Sequence, residues 1–185
     1  MTRRAPRFEW PGAISTWSFS MGLTLDGLFM FGLGLLAAAN HPTGAVLAAG
    51  LAMSFRYASE VALSTAGASL AERFGGRFVL VVMSLLAAVA LALLGSTGPW
   101  LWTGVLSAIV LRALIQPLVA PLVAEAHPGP ARVPALARQA VWRDIGAGTG
   151  PLVAGFVLSV APTGLLLAVA SLLLVPRSSA RDTSS

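Results

Sequence analysis

Long apolar runs separated by short polar segments dominate the chain. Four runs are long enough to cross a bilayer as helices, at residues 17–39, 44–65, 78–95 and 100–123. An α-helix rises about 1.5 Å per residue, so about 20 apolar residues cover roughly 30 Å of hydrocarbon. Two further runs, 145–160 and 162–175, are shorter and need tilt or helical continuation into their flanks. The pattern predicts an all-α membrane protein with six transmembrane helices.

Two alternatives bear on the number of helices. The tight turn at 161–164 fits a re-entrant hairpin formed by the last two runs as well as two crossing helices. A cleaved signal peptide is disfavoured, because the first run contains Asp26 and exceeds the usual apolar length of about 7–15 residues. We adopt six helices, with a cytoplasmic segment at 1–16, a transmembrane domain at 17–176 and a cytoplasmic tail at 177–185.

The arginines outside the apolar runs follow an alternating pattern. They lie before the first run, between the second and third, between the fourth and fifth, and after the sixth. The intervening loops, 40–43, 96–99 and 161–164, contain no arginine or lysine. Since loops retained in the cytoplasm carry an excess of positive charge, the pattern predicts a multi-pass plasma-membrane protein with both termini cytoplasmic.

Composition agrees with this topology and narrows the function classes. Hydrophobic residues make up 56% of the chain and charged residues 10%, and the mean hydropathy is +0.81. The net charge of +5 follows from the loop arginines, so we expect no nucleic-acid partner. There is no cysteine, and His41 and His127 fall in loops on opposite sides of the membrane. We therefore expect neither an enzyme nor a bound metal or cofactor.

Charged side chains inside the apolar runs are the first candidates for function. They are Asp26, Arg56, Glu60 and Arg112, and each is costly in hydrocarbon unless it is paired or solvated. Asp26 and Arg56 each lie nine residues from the cytoplasmic end of their run, about 13 Å deep. If the first two helices are neighbours, Asp26 and Arg56 can form an ion pair. Glu60 lies one helical turn from Arg56 and is its second possible partner.

These four residues have two interpretations. A carboxylate that alternates between arginine pairing and protonation couples proton movement to conformation, which predicts a transport pathway. The alternative is a structural cluster that only holds the helices together. Arg112 has no obvious partner nearby in the sequence, which predicts that it faces a watery cavity and holds an anionic group or a carboxylate.

Glycine spacing in the fifth run predicts close helix packing. The segment 146–155 reads GAGTGPLVAG, in which Gly146 and Gly150 lie on one helical face. Small residues at this spacing let helices approach closely in lipid, and Pro151 permits a bend.

Two motifs resemble those of the major facilitator superfamily of secondary transporters. Segment 70–77, LAERFGGR, is similar to the loop that joins the second and third helices of a family half. The matching positions are Leu70, Ala71, Arg73, Phe74, Gly75 and Arg77, and the departures are Glu72, Gly76 and Ala68. Segment 146–155 is similar to the fifth-helix glycine and proline motif of family antiporters, with Ala154 in place of one glycine. Arg112 followed by Gln116 is a weaker echo of a fourth-helix arginine.

The resemblance covers one six-helix half of a twelve-helix fold and implies roles for specific residues. It implies a cytosolic gating loop built from Glu72, Arg73, Gly75, Arg77, Arg143 and Asp144, and a helix-packing motif built from Gly146, Gly150, Pro151 and Gly155. Since the family builds its substrate site between two halves, the partners it implies are a second copy or a complementary half, the lipid bilayer and a small-molecule substrate. A stand-alone half, a product of a split gene and a truncated remnant all remain open.

The leading expectation is a half-size secondary transporter that performs proton-coupled export, with the four intramembrane charges lining the path. The alternative is a non-transporting membrane protein, a remnant or an assembly partner, that retains the fold. The five tryptophans lie near the ends of the runs, so we expect them to anchor the chain at the interface. They therefore do not indicate which substrate is bound.

Overall fold

The computed structural model describes residues 12–40, 44–94, 96 and 98–157. This part of the chain is almost entirely helical and contains no β-strand. Its helices are α1 (Ala13–Met21), a π-helical segment (Gly22–Leu28), α2 (Phe29–Asn40), α3 (Ala45–Leu63), α4 (Ala66–Phe74), α5 (Gly76–Leu93), α6 (Pro99–Ala126), a 3-10 turn (Gly129–Ala131) and α7 (Arg132–Val157). The predicted all-α class is confirmed for these residues.

Three of the helices are long and apolar enough to cross a membrane. The candidate spans are Val46–Leu63, Gly76–Leu93 and Pro99–Ala126. They correspond to the second, third and fourth runs predicted from the sequence, and they are compatible with a membrane protein. The predicted sixth run, 162–175, lies outside the described residues, as do the arginines before residue 12 and the tail after residue 176.

Helix α6 forms the centre of the packing. It contacts α3, α4, α5 and α7, and the buried side chains of Val105, Ile109, Ile115 and Leu118 lie along it. Pro99 starts the helix, where its missing N–H needs no partner. Pro117 and Pro121 lie in its interior, where each removes one backbone hydrogen bond and favours a bend.

The second main contact joins the beginning of the chain to its last described helix. α1, the π-helical segment and α2 follow one another without a non-helical residue, and α7 packs along the first two. A π-helix is rare and usually short, and it is found most often at functional sites. In this chain the π-helical segment carries Asp26.

Two predicted boundaries were wrong. The fourth and fifth predicted runs, 100–123 and 145–160, leave residues 124–144 as the connection between two helices, but α6 continues to Ala126 and α7 begins at Arg132. Pro134 does not prevent this early start, since it falls in the first turn of α7, where backbone N–H groups have no intrahelical acceptor. Residues 70–77 were expected to form a turn, but they are helical on both sides of Gly75. Gly75 alone breaks the helix, with φ of 87°, a value that glycine adopts without steric cost.

Candidate functional site

The four charged residues predicted from the apolar runs meet in one place. Asp26 comes from the π-helical segment, Arg56 and Glu60 from α3, and Arg112 from the middle of α6. We call these four residues the charge cluster. Their side chains retain 6% exposure for Arg112, 12% for Asp26, 17% for Arg56 and 26% for Glu60. The cluster is therefore most buried at Arg112 and most open at Glu60.

Arg112 binds both carboxylates. Its Nε donates to Asp26 Oδ1 at 2.5 Å, and its Nη1 donates to Glu60 Oε1. Nη1 also donates to Gln116 Oε1 at 3.1 Å, one turn along α6. The prediction that Arg112 holds a carboxylate is confirmed, and both carboxylates lie far away in the sequence. The predicted position facing a watery cavity was wrong, because the Arg112 side chain is only 6% exposed.

Arg56 contacts the same two oxygen atoms from the other side. Its Nε donates to Glu60 Oε1 at 3.1 Å, the contact expected from their spacing on one helix. Its Nη2 lies 3.9 Å from Asp26 Oδ1, close enough for an ion pair but too far for a hydrogen bond. The expected pairing of Asp26 with Arg56 is therefore present as the longer of the two contacts.

The charge cluster is electrically balanced. Each carboxylate uses one oxygen atom to contact both arginines, so the two positive and two negative groups alternate. The two positive and two negative charges give a net charge of zero, which limits the cost of placing ionised groups in a low-dielectric interior. Removing a charge from any one member leaves the others with an excess charge.

Glycine contacts position the helix that carries Asp26. A Cβ placed on Gly27 would lie 2.6 Å from the Cα of Gly150, and one placed on Gly146 would lie 2.8 Å from the backbone nitrogen of Leu23. Side chains larger than hydrogen therefore do not fit between the π-helical segment and α7. Gly146 and Gly150 of the predicted packing motif lie at this contact.

The rest of the packing motif lies elsewhere. Pro151 is exposed within α7, and a Cβ on Gly155 would meet no atom within 4 Å. Two glycines on the opposite side of this contact, Gly22 and Gly27, were missed by sequence analysis; a Cβ on Gly22 would lie 3.0 Å from the backbone nitrogen of Ala147. Their separation of five residues does not repeat on an α-helical face, so it becomes a recognisable pattern only once the segment is known to be π-helical.

The predicted gating loop is exposed. Glu72, Arg73 and Arg77 lie on the surface around Gly75, and among the described residues none of the three forms an ion pair. Arg143 and Asp144, the expected partners, pair with each other through Arg143 Nη2 and Asp144 Oδ1 at 3.1 Å. The charged residues around Gly75 are therefore not joined by an ion pair to Arg143 or Asp144.

One glycine near this loop has a clear packing role. A Cβ on Gly67 would lie 3.0 Å from Pro117 Cγ and still closer to the carbonyl oxygen of Leu114. Gly67 therefore allows α4 to lie directly against the proline-containing part of α6. Two other groups that the sequence did not single out are Tyr57, whose ring centroid lies 5.6 Å from Arg56 Cζ, and Gln139, which donates to the buried Ser18 hydroxyl at 3.2 Å.

The described residues offer no metal site, and the charge cluster lies at neither of two hollows found in this part of the chain. No group of three or more histidine, cysteine, aspartate or glutamate residues lies close enough together in this part of the chain to hold a metal ion. Hollows of about 500 Å³ between α5 and α6 and about 610 Å³ along the start of α3 are lined mainly by apolar side chains. None of the four charged residues lines either hollow.

The class defined by these features is a helical protein with three candidate membrane spans and a balanced cluster of four charged side chains. Comparison with known proteins adds no identity, since no family model, no curated protein and no solved structure matches the chain.

Proposed function

We propose that the chain is a half-size secondary transporter of the major facilitator type, which moves a small molecule across the plasma membrane by proton-coupled export. The observation that carries the proposal is the charge cluster, whose members come from three helical segments and contact one another among apolar side chains. Intramembrane acidic and basic groups are costly and usually mark ion or substrate pathways.

Six spans follow from the proposal. Besides the three candidate spans, the helical stretch at 13–40 and the 26-residue α7 would each cross, and residues 162–175 would form the last span. A helix of 26 residues is about 39 Å long, which exceeds the hydrocarbon thickness. The alternating arginine pattern supports this order, with both termini in the cytoplasm.

Proton coupling follows from the shared oxygen atoms. Glu60 Oε1 accepts hydrogen bonds from both Arg56 and Arg112, so a proton on this carboxyl weakens one contact within α3 and one contact between α3 and α6 at once. The helices would then have two arrangements, one with the charge cluster closed and one with it open. A group that binds one arrangement better shifts the population toward it, which is the requirement for alternating access.

A second half completes the proposed machine. Secondary transporters of this type bind substrate near the midplane between two helical repeats. The resemblance of residues 70–77 and 146–155 to family motifs supports this assignment, and a second copy or a complementary chain would supply the other half.

Proteoliposomes containing the purified chain test the proposal. A fluorescent pH indicator trapped inside reports proton movement when a panel of amino acids, sugars, carboxylates and organic cations is added outside. We expect at least one class to drive proton flux, and we expect Glu60→Gln to abolish it. Glu125→Gln, which neutralises an exposed glutamate near the end of α6, is the matched control and should retain the flux. Absence of proton-coupled flux for every class, with the chain alone and with a co-expressed complementary half, would contradict the proposal.

The rival function is a non-transporting membrane protein that keeps the fold for assembly. The specific observation in its favour is that Glu72, Arg73 and Arg77 form no ion pair with Arg143 or Asp144. For this rival, charge-neutral variants of Asp26 and Glu60 would leave any cellular phenotype unchanged, while Gly150 variants would abolish it. Expression of Asp26→Asn in cells lacking the protein separates the two functions. A restored phenotype supports the rival, and an unrestored phenotype supports the transporter.

A further inference from the structure

Arg56 has unused hydrogen-bonding capacity on the open side of the charge cluster. Its Nε is engaged by Glu60, but among the described residues neither terminal nitrogen makes a hydrogen bond. Arg112, by contrast, uses both Nε and Nη1 and is almost fully buried. Two terminal nitrogens of one guanidinium form a planar fork that matches the two oxygen atoms of a carboxylate. Arg56 is therefore the member of the charge cluster able to bind a further ligand.

The aromatic neighbour of Arg56 lies on the same open side. Tyr57 is 60% exposed, and its ring lies 5.6 Å from Arg56 Cζ. The contact holds the guanidinium at the edge of the charge cluster, where a ligand can approach from the surface of α3. An aromatic ring beside an arginine fork also offers an apolar surface to the rest of a small organic anion.

Charge balance decides which ligand the charge cluster tolerates. Without ligand, its two arginines and two carboxylates sum to zero. A bound monovalent anion together with one proton again sums to zero, so both the empty and the loaded states avoid a net charge in a low-dielectric region. A proton alone, or a bound cation alone, leaves a net positive charge, and uncompensated charges in such a region are strongly penalised. Balanced charge therefore favours an anion that moves with a proton.

Glu60 is the carboxyl best placed to take that proton. It is the more exposed of the two acids, and it is the only one that accepts a hydrogen bond from Arg56 within the described residues. The charged groups that face it are Arg56 on its own helix, Arg112 on α6 and Asp26 on the π-helical segment. A proton on Glu60 would weaken its hold on Arg56 and remove the negative charge nearest to an incoming anion.

We propose that Arg56 binds the carboxylate group of a small monovalent organic anion, and that Glu60 takes up one proton from solution as the anion binds. This inference rests on the charge cluster of the proposed transporter and names its substrate class. Binding of the two ions is reciprocal, so each raises the affinity for the other. Anion and proton then cross in the same direction, which is outward when the anion is more concentrated inside the cell.

The test is calorimetric titration of the full chain in lipid nanodiscs with benzoate and with lactate, both ionised between about pH 6 and 8. Repeating the titration in buffers of different ionisation enthalpy measures the protons taken up. We expect uptake of about one proton per anion and tighter binding at the lower pH, as linkage requires. Tetraethylammonium, a cationic probe, should not bind with proton uptake.

Two variants separate this role from a merely structural one. Glu60→Gln imitates the protonated carboxyl, so it should bind the anion with no proton uptake and no pH dependence. Arg56→Gln should weaken anion binding by about tenfold to a hundredfold, because a charge-assisted contact is lost. Arg132→Gln and Glu125→Gln are matched controls at exposed positions outside the charge cluster and should leave both properties unchanged.

Several outcomes would overturn the inference. They are failure of both anions to bind, binding without proton uptake in the unmodified chain, and unchanged binding in Arg56→Gln. The flux assay in proteoliposomes keeps this result apart from the proposed function. Proton-coupled flux driven by another substrate class would retain the transporter and remove the anion site, whereas proton-linked anion binding without any flux would retain the site and remove the transporter.

Discussion

Arg112 is the residue on which the charge cluster depends. The whole residue, backbone included, is 5% exposed. Arg112 joins three helical segments through Asp26 and Glu60, with Gln116 as a further acceptor on its own helix. The sequence located it inside an apolar run but not beside these partners. Because a buried arginine cannot turn toward water, Arg112 contributes to stability through its contacts with the two carboxylates, and the two carboxylates contribute through their contacts with Arg112.

Neutralising Arg112 should destabilise the protein. Arg112→Gln leaves two carboxylates with only Arg56 between them, and breaking a buried pair on one side costs about 3–5 kcal/mol. The measurement is the free energy of unfolding in micelles, followed by far-ultraviolet circular dichroism against a denaturant.

A double variant identifies the origin of that loss. Arg112→Gln with Glu60→Gln restores charge balance and should recover part of the lost stability, giving a coupling energy of about 1–3 kcal/mol. Arg132→Gln, at an exposed site, should change stability by less than about 0.5 kcal/mol. Additive effects of the two charge-cluster variants would argue that Arg112 and Glu60 do not interact.

At the scale of single elements, the π-helical segment links the charge cluster to α7. Its Asp26 faces Arg112 while its Gly27 contacts Gly150, so adjacent residues of one segment serve the two contacts. A shift of α7 along this contact would therefore move Asp26 relative to α6. In the gating loop, by contrast, Arg143 pairs with its neighbour Asp144, and among the described residues no ion pair links residues 72–77 to α7.

The glycine contact predicts an asymmetric effect of alanine along α7. Gly150→Ala places a methyl group against the backbone of Gly27, and backbone cannot move aside as a side chain can, so we expect a loss of about 1–3 kcal/mol. Gly148→Ala lies on the same helix where a Cβ meets nothing within 4 Å, and it should be neutral or stabilising by up to about 1 kcal/mol. Unfolding midpoints of the two variants in micelles give the comparison, and equal midpoints would mean that the contact does not exist.

For the whole molecule, the two ends of α6 offer a test of the predicted topology. Residues 96 and 131 lie at opposite ends of α6, whose 28 residues extend about 42 Å. If α6 crosses the bilayer, the two positions must lie on opposite sides. The arginine pattern predicts that residue 131 is cytoplasmic and that residue 96 is extracellular.

Single cysteine reporters check this topology, since the chain has no cysteine of its own. We expect a membrane-impermeant maleimide to label Ser96→Cys in intact cells and Ala131→Cys only after the cells are permeabilised. The parent chain, which lacks a thiol, sets the background. Labelling of both reporters in intact cells would contradict a crossing α6 and the six-span topology with it.

Local pattern predicted the elements better than their ends. The second, third and fourth apolar runs coincide with α3, α5 and α6, because predominantly apolar stretches of about 20 residues are typical of helices that span a membrane. The connection between the fourth and fifth runs is shorter than residues 124–144, because the prolines in this segment do not all interrupt a helix. Pro128 and Pro130 do lie between the helices, but Pro134 falls in a first helical turn, where proline is tolerated.

By itself the sequence determined the all-α class, the second, third and fourth helical runs, which charges lie inside apolar runs, and that Arg56 and Glu60 share one helical face. These properties depend on neighbours within one or two turns. Only the tertiary structure decided that Arg112 meets Asp26 and Glu60, 86 and 52 residues away, and that a glycine pair holds Asp26 in place. Contacts at such separations depend on how helices pack, and helix packing is set by side chains from several segments at once.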